Sequence, residues 1–412
     1  MSNKKNQQNI PEGWRNERLG DMLDHIVDNR GKTPPVQTHG VPLVEVNSVG
    51  GKKIDYSSIT KYVSEEVYNS WFRKYLKKGD VLFSTVGRTA SCSLYDESIK
   101  SAVAQNLIGL RFKSDCSEFM YYLLSQDSNN RKFKKIEMLG AQPSVKVTQM
   151  VDLFFIVPEE DEKRRIVKVL ETWDEAIDKL DRVIEVKKDV KKGLMQKLLT
   201  GELRLPGFQG EWVTYKLGDL YEITSSKRVF QSEWTTEGVP FYRAREIVKL
   251  ANNGYVNNDL YISEKMFSDY KLKYGAPESN DLLVTGVGTI GRVYRVREND
   301  NFYFKDGNIV WLKHKEGVSS EFVEQLFNTR DIKKQVIGSS PITTVATYTI
   351  DAAKKTKVNI PDIDEQIEIA KVLTSFDLQL QLLVNKRKKM SDQKKYLLNN
   401  LITGQIRTPE NL

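Results

Sequence analysis

The sequence has few of the residues that bind metals or cross-link a chain. Its 412 residues include two cysteines, Cys92 and Cys116, and three histidines. Two thiols cannot build a disulfide framework. The histidines, His25, His39 and His314, do not have the spacing of metal ligands. The composition therefore predicts no metal site and no bound cofactor.

Long apolar runs are also missing. No stretch approaches the roughly 18 apolar residues that suggest a transmembrane helix, and the polar N-terminal residues lack the apolar segment of a signal peptide. With 39% hydrophobic and 29% charged residues, the chain is expected to form packed cores with a well-solvated surface. We therefore expect a cytoplasmic protein that does not associate with membranes.

The charge balance leaves more than one class of partner open. Lysine and arginine number 63 against 55 aspartates and glutamates, which gives a formal net charge of +8. An excess of this size is compatible with nucleic-acid binding but does not establish it. The placement of the basic residues along the chain is more informative than their number.

The chain does contain a long internal repeat. The segment 19–21 (Leu-Gly-Asp) returns 198 residues later as 217–219, and the segment 117–119 (Ser-Glu-Phe) returns 203 residues later as 320–322. The offset changes along the first part of each copy and is constant at 203 in the last forty residues. A repeat of this length indicates a duplicated domain and not a solenoid. The first part of the repeated unit therefore varies between the copies, whereas its last forty residues keep one alignment.

Most of each copy has a mixed pattern. Short apolar runs between Gly, Pro, Ser and Asn predict strands, and helical spacing begins at Ser117 and again at Ser320. The predicted strands cover residues 41–46, 80–86, 107–112, 240–242, 282–287, 292–296 and 309–313. Residues 13–158 and 206–360 are therefore predicted to be two mixed α/β domains.

The end of each copy follows a heptad pattern, with apolar residues at alternating steps of four and three. Each segment predicts a helix of about 40 residues, roughly 60 Å long. Acidic starts and basic ends favour antiparallel pairing. The alternative is an unpaired, solvated helix, but two matching seams favour an intramolecular coiled coil. The seam includes Ile166, Leu170, Trp173, Ile177 and Leu180 in the first copy and Ile369, Leu373, Phe376, Leu380 and Leu383 in the second.

At these residues the chain resembles the specificity (S) subunit of type I restriction-modification enzymes. The resemblance rests on residues 198–208 (LLTGELRLPGF) leading into Trp212, and on Pro, Asp-Glu, Ile and Leu at matching positions from 158 and from 361. The usual Glu-Gln pair is present at 365–366, whereas the first copy has Glu162-Lys163. The resemblance covers nearly the whole chain.

The resemblance implies an α+β protein with two tandem target recognition domains, separated by two long helices that pair as an antiparallel coiled coil with pseudo-two-fold symmetry. It predicts a flexible tail at 1–12, recognition domains at 13–158 and 206–360, spacer helices at 159–205 (with a linker) and 361–404, and a tail at 405–412.

The implied function is noncatalytic, sequence-specific DNA binding. Each domain would read one half of a bipartite target in double-stranded DNA, and the helices would dock two methyltransferase subunits, which restriction subunits can join. The repeat itself supports this, because a duplicated module on a rigid spacer matches a target made of two separated half-sites. A coiled-coil interaction adaptor, or less favourably a stand-alone methyltransferase or nuclease, remains as the alternative.

Direct readout of DNA needs polar side chains that reach base edges, with basic groups on the phosphates. A surface lysine is usually only solvated, so each candidate competes with that simpler interpretation. The candidates in the first domain are Arg30, Lys32, Arg73, Lys78, Arg88, Thr89, Asn106 and Lys134. Those in the second domain are Lys227, Arg228, Arg243, Arg245, Thr289, Arg292, Asn308 and Lys334. Two turns, 140–143 and 338–341, also match between the copies.

Two motifs resemble catalytic or cofactor sites. Residues 286–291 fit G-x-G-x-x-G, but the β pattern continues from Arg292, whereas a dinucleotide site requires a helix there. We therefore predict a strand-to-strand turn. Asp362 and Asp392 formally fit a nuclease pattern, but they lie many helical turns apart and cannot share a metal. Neither motif supports an enzyme.

Overall fold

Two long helices and two sets of short strands make up the structure, which is a computed structural model. It describes residues 10–29, 31, 33–338 and 347–411. Most of the predicted N-terminal tail, the candidates Arg30 and Lys32, and the turn at 338–341 beyond Gly338 therefore lie outside the described residues. The chain forms two compact units. The first unit comprises residues 1–181 and 385–412, and the second unit comprises residues 182–384.

The first unit is a mixed α/β structure whose helices begin at polar caps. Ser64 caps the helix Glu65–Trp71 by accepting a hydrogen bond from Val67 N at 3.1 Å, as expected for an N-cap serine. Its strands are β1 (Trp14–Arg18), β2 (Leu23–Val27), β3 (Val41–Val44), β4 (Tyr62–Val63), β5 (Val81–Ser84), β6 (Cys92–Leu94), β7 (Ala102–Val103), β8 (Leu107–Phe112) and β9 (Phe154–Pro158). Its helices are α1 (Leu19–Met22), α2 (Glu65–Trp71), α3 (Ser117–Ser125), α4 (Asp127–Lys135), α5 (Val147–Met150) and the start of α6 (Glu160–Leu198).

The second unit repeats these strands in the same order. They are β10 (Val213–Lys216), β11 (Glu222–Thr224), β12 (Val239–Tyr242), β13 (Tyr261–Ile262), β14 (Leu282–Thr285), β15 (Val293–Arg295), β16 (Tyr303–Phe304), β17 (Ile309–Lys313) and β18 (Lys357–Ile360). Its helices are α7 (Leu217–Leu220), α8 (Ala244–Asn253), α9 (Glu264–Tyr274), α10 (Ser320–Leu326), α11 (Arg330–Gly338), α12 (Ile350–Lys355) and the start of α13 (Ile363–Ile402). Three short 3₁₀ turns, at Val46–Ser48, Tyr56–Ser58 and Gln231–Glu233, complete the secondary structure of the described residues.

The sheet topology is the same in both units. In the first unit β2-β8-β5-β6 form one sheet, β4-β3-β7 a second, and β1 pairs with β9. The second unit has β11-β17-β14-β15, β13-β12-β16 and β10 with β18. Neighbouring strands are antiparallel, except that β3 runs parallel to β7 and β12 parallel to β16. The structure therefore confirms two tandem α/β domains. Several strands are shorter than predicted: residues 80–86, for example, contain the four-residue strand β5.

The main core of each unit lies between its four-stranded sheet and the helix that follows it. In the first unit, Phe83 of β5 and Phe119 of α3 are fully buried. In the second unit, Val284 of β14 and Phe322 of α10 occupy the matching places and are also fully buried. Each main core also includes residues from the ends of both long helices, such as Leu170 and Leu401 in the first unit. The helices are thus part of each domain's core as well as its connection.

The predicted heptad seam is the inner face of both long helices. Ile166, Leu170, Ile177, Ile369 and Leu373 are buried, and full burial of such a side chain contributes about 1.5–3 kcal/mol. The other predicted seam residues are half-buried: Trp173, Leu180, Phe376, Leu380 and Leu383.

Polar members of the seam fix an antiparallel register. In the first unit, Arg387 Nε lies 3.0 Å from Asp181 Oδ1, and Lys394 bonds Asp174. In the second unit, Lys191 Nζ lies 2.5 Å from Asp377 Oδ1, and Lys187 Nζ lies 2.6 Å from the side-chain oxygen of Gln379. Residue numbers on one helix rise as their partners' numbers fall, which confirms the antiparallel coiled coil.

A cluster of three residues closes the helix pair in each unit. In the first unit Arg407 makes two bonds to Glu162, at 2.7 and 2.8 Å, and Trp14 Nε1 donates to the same carboxylate at 3.0 Å. In the second unit Arg204 makes two bonds to Glu365, at 2.7 and 2.6 Å, and its guanidinium lies 5.9 Å from the ring of Trp212. Each start of a long helix is thereby tied to the segment that follows the end of the other.

The remaining predictions about composition concern membranes and thiols. None of the helices in the described residues is long and apolar enough to cross a membrane. Burial raises the pKa of Cys92 to about 12 and that of Cys116 to about 11, so these thiols stay protonated and are poor nucleophiles.

Asp362, one of the two rejected nuclease carboxylates, accepts a hydrogen bond from Glu365 N at 3.0 Å and caps α13.

Candidate nucleic-acid interface

The strongest candidate for a DNA contact in the first unit is the turn between β5 and β6, residues 85–91. One hydroxyl shapes this turn. Ser84 Oγ donates to the carbonyl of Arg88 at 2.5 Å and accepts from Ser91 N at 2.8 Å. The turn requires positive φ at Gly87 (+80°) and at Ala90 (+59°), a conformation that is costly for a residue with a Cβ atom. Arg88 is left exposed at the tip.

The second unit has the same turn between β14 and β15, residues 286–292. Thr285 Oγ1 donates to the carbonyl of Thr289 and accepts from Arg292 N at 3.0 Å. Gly288 and Gly291 both have φ of +75°. A Cβ atom at Gly291 would also lie 2.9 Å from a methyl group of Val336, so the alanine of the first unit would not fit here without movement. We call residues 85–91 and 286–292 the hairpin turns.

The second hairpin turn contains the G-x-G-x-x-G motif. Because β14 and β15 are antiparallel neighbours, no helix begins at the glycines. The prediction of a strand-to-strand turn is confirmed, and the dinucleotide interpretation is excluded on geometry.

The two hairpin turns present different chemistry on one backbone. Arg88 donates to the carbonyl of Val46 at 3.1 Å and to that of Val49, which ties the tip to the loop after β3. Thr289, at the equivalent position, is exposed. A charged group with several donors in one unit is therefore replaced by a small hydroxyl in the other. Such variation on a fixed turn suits a surface that reads different bases.

Thr89 does not fit its predicted role. Its side chain is 3% exposed, because its hydroxyl donates to Glu137 and accepts from Lys134 Nζ at 2.6 Å. This places Thr89 and Lys134 in a bonded cluster under the turn, where Lys134 also pairs with Glu137 at 3.2 Å. The structure therefore argues against a base contact by Thr89, and Lys134 is partly engaged within the protein.

Asn106 and Asn308 lie beside the hairpin turns. The carbonyl of Asn106 accepts from Thr85 N at 2.9 Å, and the carbonyl of Asn308 accepts from Gly286 N at 2.8 Å. These equivalent bonds place both asparagines at the base of the turn, with half-buried side chains. In the first unit the turn at 140–143 also contacts the hairpin, because Gly87 N donates to the carbonyl of Pro143 at 2.9 Å.

Other candidates of the first unit are farther along the chain. Arg73 and Lys78 are exposed in the segment between α2 and β5. The backbone N–H of Arg73 donates to Asn29 Oδ1 at 3.0 Å. Within the described residues no hydrogen bond or ion pair joins Arg73 or Lys78 to the hairpin turn.

In the second unit several predicted arginines are already paired. Arg243 and Arg245 both bond Glu246. Burial alone would raise the pKa of this carboxyl, but the two guanidiniums outweigh burial and lower the pKa below its usual value. Arg228 pairs with Asp306 at 2.9 Å. These contacts reduce the charge that the three arginines can offer to DNA.

The last three candidates lie on different elements of the second unit. Lys227 Nζ lies 5.2 Å from the ring centre of Tyr274, in the segment after β11. Arg292 ends the hairpin turn and bonds the side-chain oxygen of Asn252. Lys334 is exposed on α11. Of these, Arg292 is the one that the structure places on the hairpin turn.

Sequence reasoning missed the hydroxyls of Ser84 and Thr285, which shape both hairpin turns. A signal was present, because the two residues match at the repeat offset of 201 that also relates Asp80 to Asp281. It also missed the closing clusters, although Trp14, Glu162 and Arg407 each have a copy in the other half of the chain, at Trp212, Glu365 and Arg204.

Comparison with known proteins agrees with this architecture. The profile described as the type I restriction modification DNA specificity domain matches residues 11–188 and again residues 209–390. The type I restriction enzyme MjaVIII specificity subunit of Methanocaldococcus jannaschii is 23% identical over 421 aligned positions, which cover 97% of this chain and 94% of that protein.

Solved structures show the same fold. The S subunit of a type I restriction-modification system from M. genitalium has a TM-score of 0.58 at 16% identity, covering 96% of this chain and 97% of its own. A chain from a structural study of complex assembly and conformational transition of the type I R-M system has a TM-score of 0.60 at 17% identity. The match covers 96% of this chain and 99% of that one.

The chain therefore belongs to the family of type I restriction modification DNA specificity domains and carries that domain twice. It is a specificity subunit, a noncatalytic DNA-recognition protein of a restriction-modification complex. The predicted resemblance is confirmed.

Proposed function

We propose that this specificity subunit reads a bipartite DNA target, with one half-site for each unit. The observation that carries the proposal is the pair of hairpin turns. Equivalent bonds from a side-chain hydroxyl to a backbone carbonyl shape both turns, yet one turn presents Arg88 and the other Thr289. Two readers with one fold and different contact residues are what a target with two unlike halves requires.

The base contacts in this proposal come first from the tips of the hairpin turns and then from Asn106 and Asn308 beside them. An arginine can make paired hydrogen bonds to guanine, whereas a threonine offers one hydroxyl and a methyl group. The first unit is therefore expected to include a guanine contact from Arg88, made by the guanidinium N–H groups other than those of Nη2, which bond the carbonyls of Val46 and Val49. The remaining exposed candidates, such as Arg73 and Lys78, would contact phosphates.

The long helices supply the second part of the proposal. Residues 159–205 and 361–404 would act as the spacer that fixes the distance between half-sites, and residues 13–158 and 206–360 as the recognition domains. The helices have exposed apolar side chains away from the seam, including Val186 and Leu382. We propose that this outer helical surface docks two methyltransferase subunits.

An exchange of recognition domains tests the proposal. Residues 206–360 are replaced by the matching segment of another specificity subunit, and the chain is expressed with its methyltransferase subunits. Mapping of genomic methylation should show a changed second half-site, an unchanged first half-site and the original spacing. The matched control replaces residues 13–158 and should change the other half. A change in both halves from either exchange would contradict the assignment of one half-site to each unit.

A further inference from the structure

A groove in the second unit lies beside its hairpin turn. It has a volume of about 600 Å³ and is bounded by the end of α6, the hairpin turn 286–292, and helices α10 and α11. Five cationic side chains line it, together with the amides of Gln325 and Asn328: Lys188, Lys191, Lys192, Arg292 and Lys333. Every one of these residues belongs to the second unit.

The groove carries more positive than negative charge. Its two acidic lining residues are already neutralised: Asp377 pairs with Lys191 at 2.5 Å, and Glu324 with Arg295 at 3.2 Å. Burial raises the pKa of Glu324, although the paired Arg295 acts in the opposite direction. In the part of the chain that the structure describes, Lys192, Arg292 and Lys333 have no carboxylate partner.

The side-chain oxygen of a buried amide in the groove also lacks a hydrogen-bond partner among the described residues. Gln325 is 7% exposed, and its Oε1 atom is buried without a hydrogen bond among the described residues. An unsatisfied buried polar group costs about 1–3 kcal/mol, which a bound ligand or water can offset. A terminal amide can turn over, so this side chain can offer either its oxygen or its NH₂ group to a ligand.

The first unit fills the equivalent space. Tyr122 stands where the second unit has Gln325, 203 residues later, and its hydroxyl donates to Asp174 at 2.5 Å. The equivalents of Lys191 and Lys192 are Lys394 and Lys395, which pair with Asp174 and Asp127.

The three other cations of the groove have neutral equivalents in the first unit. Ser91, Asn130 and Ser391 stand where the second unit has Arg292, Lys333 and Lys188. An open, positively charged groove is therefore specific to the second unit.

We propose that this groove binds phosphates of the DNA backbone next to the half-site that the second unit reads. The inference rests on the proposed function, because Arg292 connects the groove to the hairpin turn. DNA phosphates are contacted mainly by Lys, Arg and amide side chains, the types present here. The second unit therefore holds DNA with phosphate contacts that the first unit lacks, and the two units contribute unequally to the salt dependence of binding.

The experiment removes the three cations that have no carboxylate partner. Lys192→Gln, Arg292→Gln and Lys333→Gln are combined in the full chain, assembled with its methyltransferase subunits. Binding is measured between about 50 and 200 mM salt on a duplex carrying the mapped target and on one of random sequence. The slope of log affinity against log salt should fall by about three, and affinity near 0.1 M salt by roughly ten- to hundredfold on both duplexes.

The matched control removes three lysines of the first unit that already pair with carboxylates. Lys61, Lys100 and Lys395 pair with Glu45, Glu65 and Asp127. Their replacement by Gln changes the net charge equally but should leave the salt slope nearly unchanged. If the triple variant does not fold, the single variant Lys192→Gln at an exposed position is measured in its place. Its slope of log affinity against log salt should change by about one.

The outcomes separate the inference from the function on which it rests. If the unaltered complex prefers its target but the triple variant keeps its affinity and slope, the groove does not bind DNA and the proposed function stands. Loss of the methyltransferase subunits without loss of DNA affinity would assign the groove to a protein partner and overturn the inference. If the unaltered complex shows no target preference, the proposed function itself is wrong.

Discussion

The two units bury an equivalent aspartate before the same strand, but they satisfy it with different partners. Asp80, which precedes β5, is fully buried and accepts two bonds of 2.8 Å from Arg111. Asp281, which precedes β14, instead accepts from Trp311 Nε1 at 2.8 Å and from the backbone N–H of His314 at 2.8 Å. A cation neutralises one carboxylate, and neutral donors hold the other.

Both aspartates accept an equivalent backbone hydrogen bond, and this bond explains why an aspartate stands at this position in both copies. Each accepts from the backbone N–H three residues earlier, at 2.8 Å from Lys77 and 2.9 Å from Glu278. This bond closes the turn into the central strand. The remaining partners come from the neighbouring strand, where any suitable donor suffices. Local backbone geometry is therefore retained between the copies, while side chains that reach across the sheet have diverged.

The largest expected difference between the units comes from removing the cation beside the buried aspartate. Arg111→Gln leaves the charge of Asp80 buried without its partner, which should cost about 3–5 kcal/mol. The equivalent change in the second unit is Lys313→Gln, which removes a pair with Glu222, a residue 63% exposed, and a contact with the Trp311 ring. It should cost at most about 1 kcal/mol.

Hydrogen exchange of the amides in each unit measures both changes, because a chain of two units need not unfold in one step. The loss of protection should be confined to the first unit for Arg111→Gln. Equal costs for the two variants would contradict this prediction, because the second unit would then depend on Lys313 as much as the first depends on Arg111.

A smaller difference is expected at the tryptophans of the closing clusters. Trp14 Nε1 donates to Glu162, whereas Trp212 Nε1 is buried and has no hydrogen-bond partner in the described part of the chain. Trp14→Phe should therefore cost about 1.5–3 kcal/mol more than Trp212→Phe, the range for a hydrogen bond to a charged group. Both changes remove similar apolar surface, so each is the control for the other in denaturant unfolding. A larger cost for Trp212→Phe would mean that this indole has a partner in solution.

The smallest effect concerns pH. Burial raises the pKa of Asp281 above its ordinary value of 3.8, so the folded second unit retains a proton that the unfolded chain has lost. Its contribution to stability is present below pH 3.8 and is lost as the pH rises through the raised pKa. The stability of the unaltered second unit should fall over this range relative to Asp281→Asn, measured by denaturant titration at several pH values. A rise relative to the variant would contradict the sign.

The sequence predicted the parts of the fold that periodicity and repetition determine. The heptad seam predicted both long helices, because residues such as Ile177 and Leu373 recur at fixed steps. Their antiparallel pairing followed from the acidic start and basic end of each helix. The turn at Gly286–Gly291 followed from the β pattern on both sides. The strand ends were less accurate, since β5 stops at Ser84, where a side-chain hydroxyl replaces the ladder bond.

The candidate interface was harder to predict because it depends on which polar groups the protein itself uses. In the sequence, Thr89 and Thr289 are both threonines near a turn. Thr89 is buried against Glu137, whereas Thr289 is exposed. Thr289 matches Arg88 at the repeat offset of 201 and lies at the tip of its turn, whereas Thr89 follows the tip by one residue. The pairing of Arg243 with Glu246 is a local spacing of three and could have been anticipated on a helix. The groove at Gln325 required the comparison with Tyr122 and its partner across the helices.

The division of the chain between the units has a consequence for biosynthesis. The first unit needs residues 385–412 from the far end of the chain, whereas the second unit is the continuous stretch 182–384. Leu401 and Ile402 pack in the core that contains Trp14 and Leu19, so they leave the ribosome roughly 400 residues after the segment they cover. At about 5–20 residues per second, this delay is on the order of 20–80 s. The domain that emerges first is therefore completed last, and a message truncated before codon 385 leaves its core open while supplying every residue of the second unit.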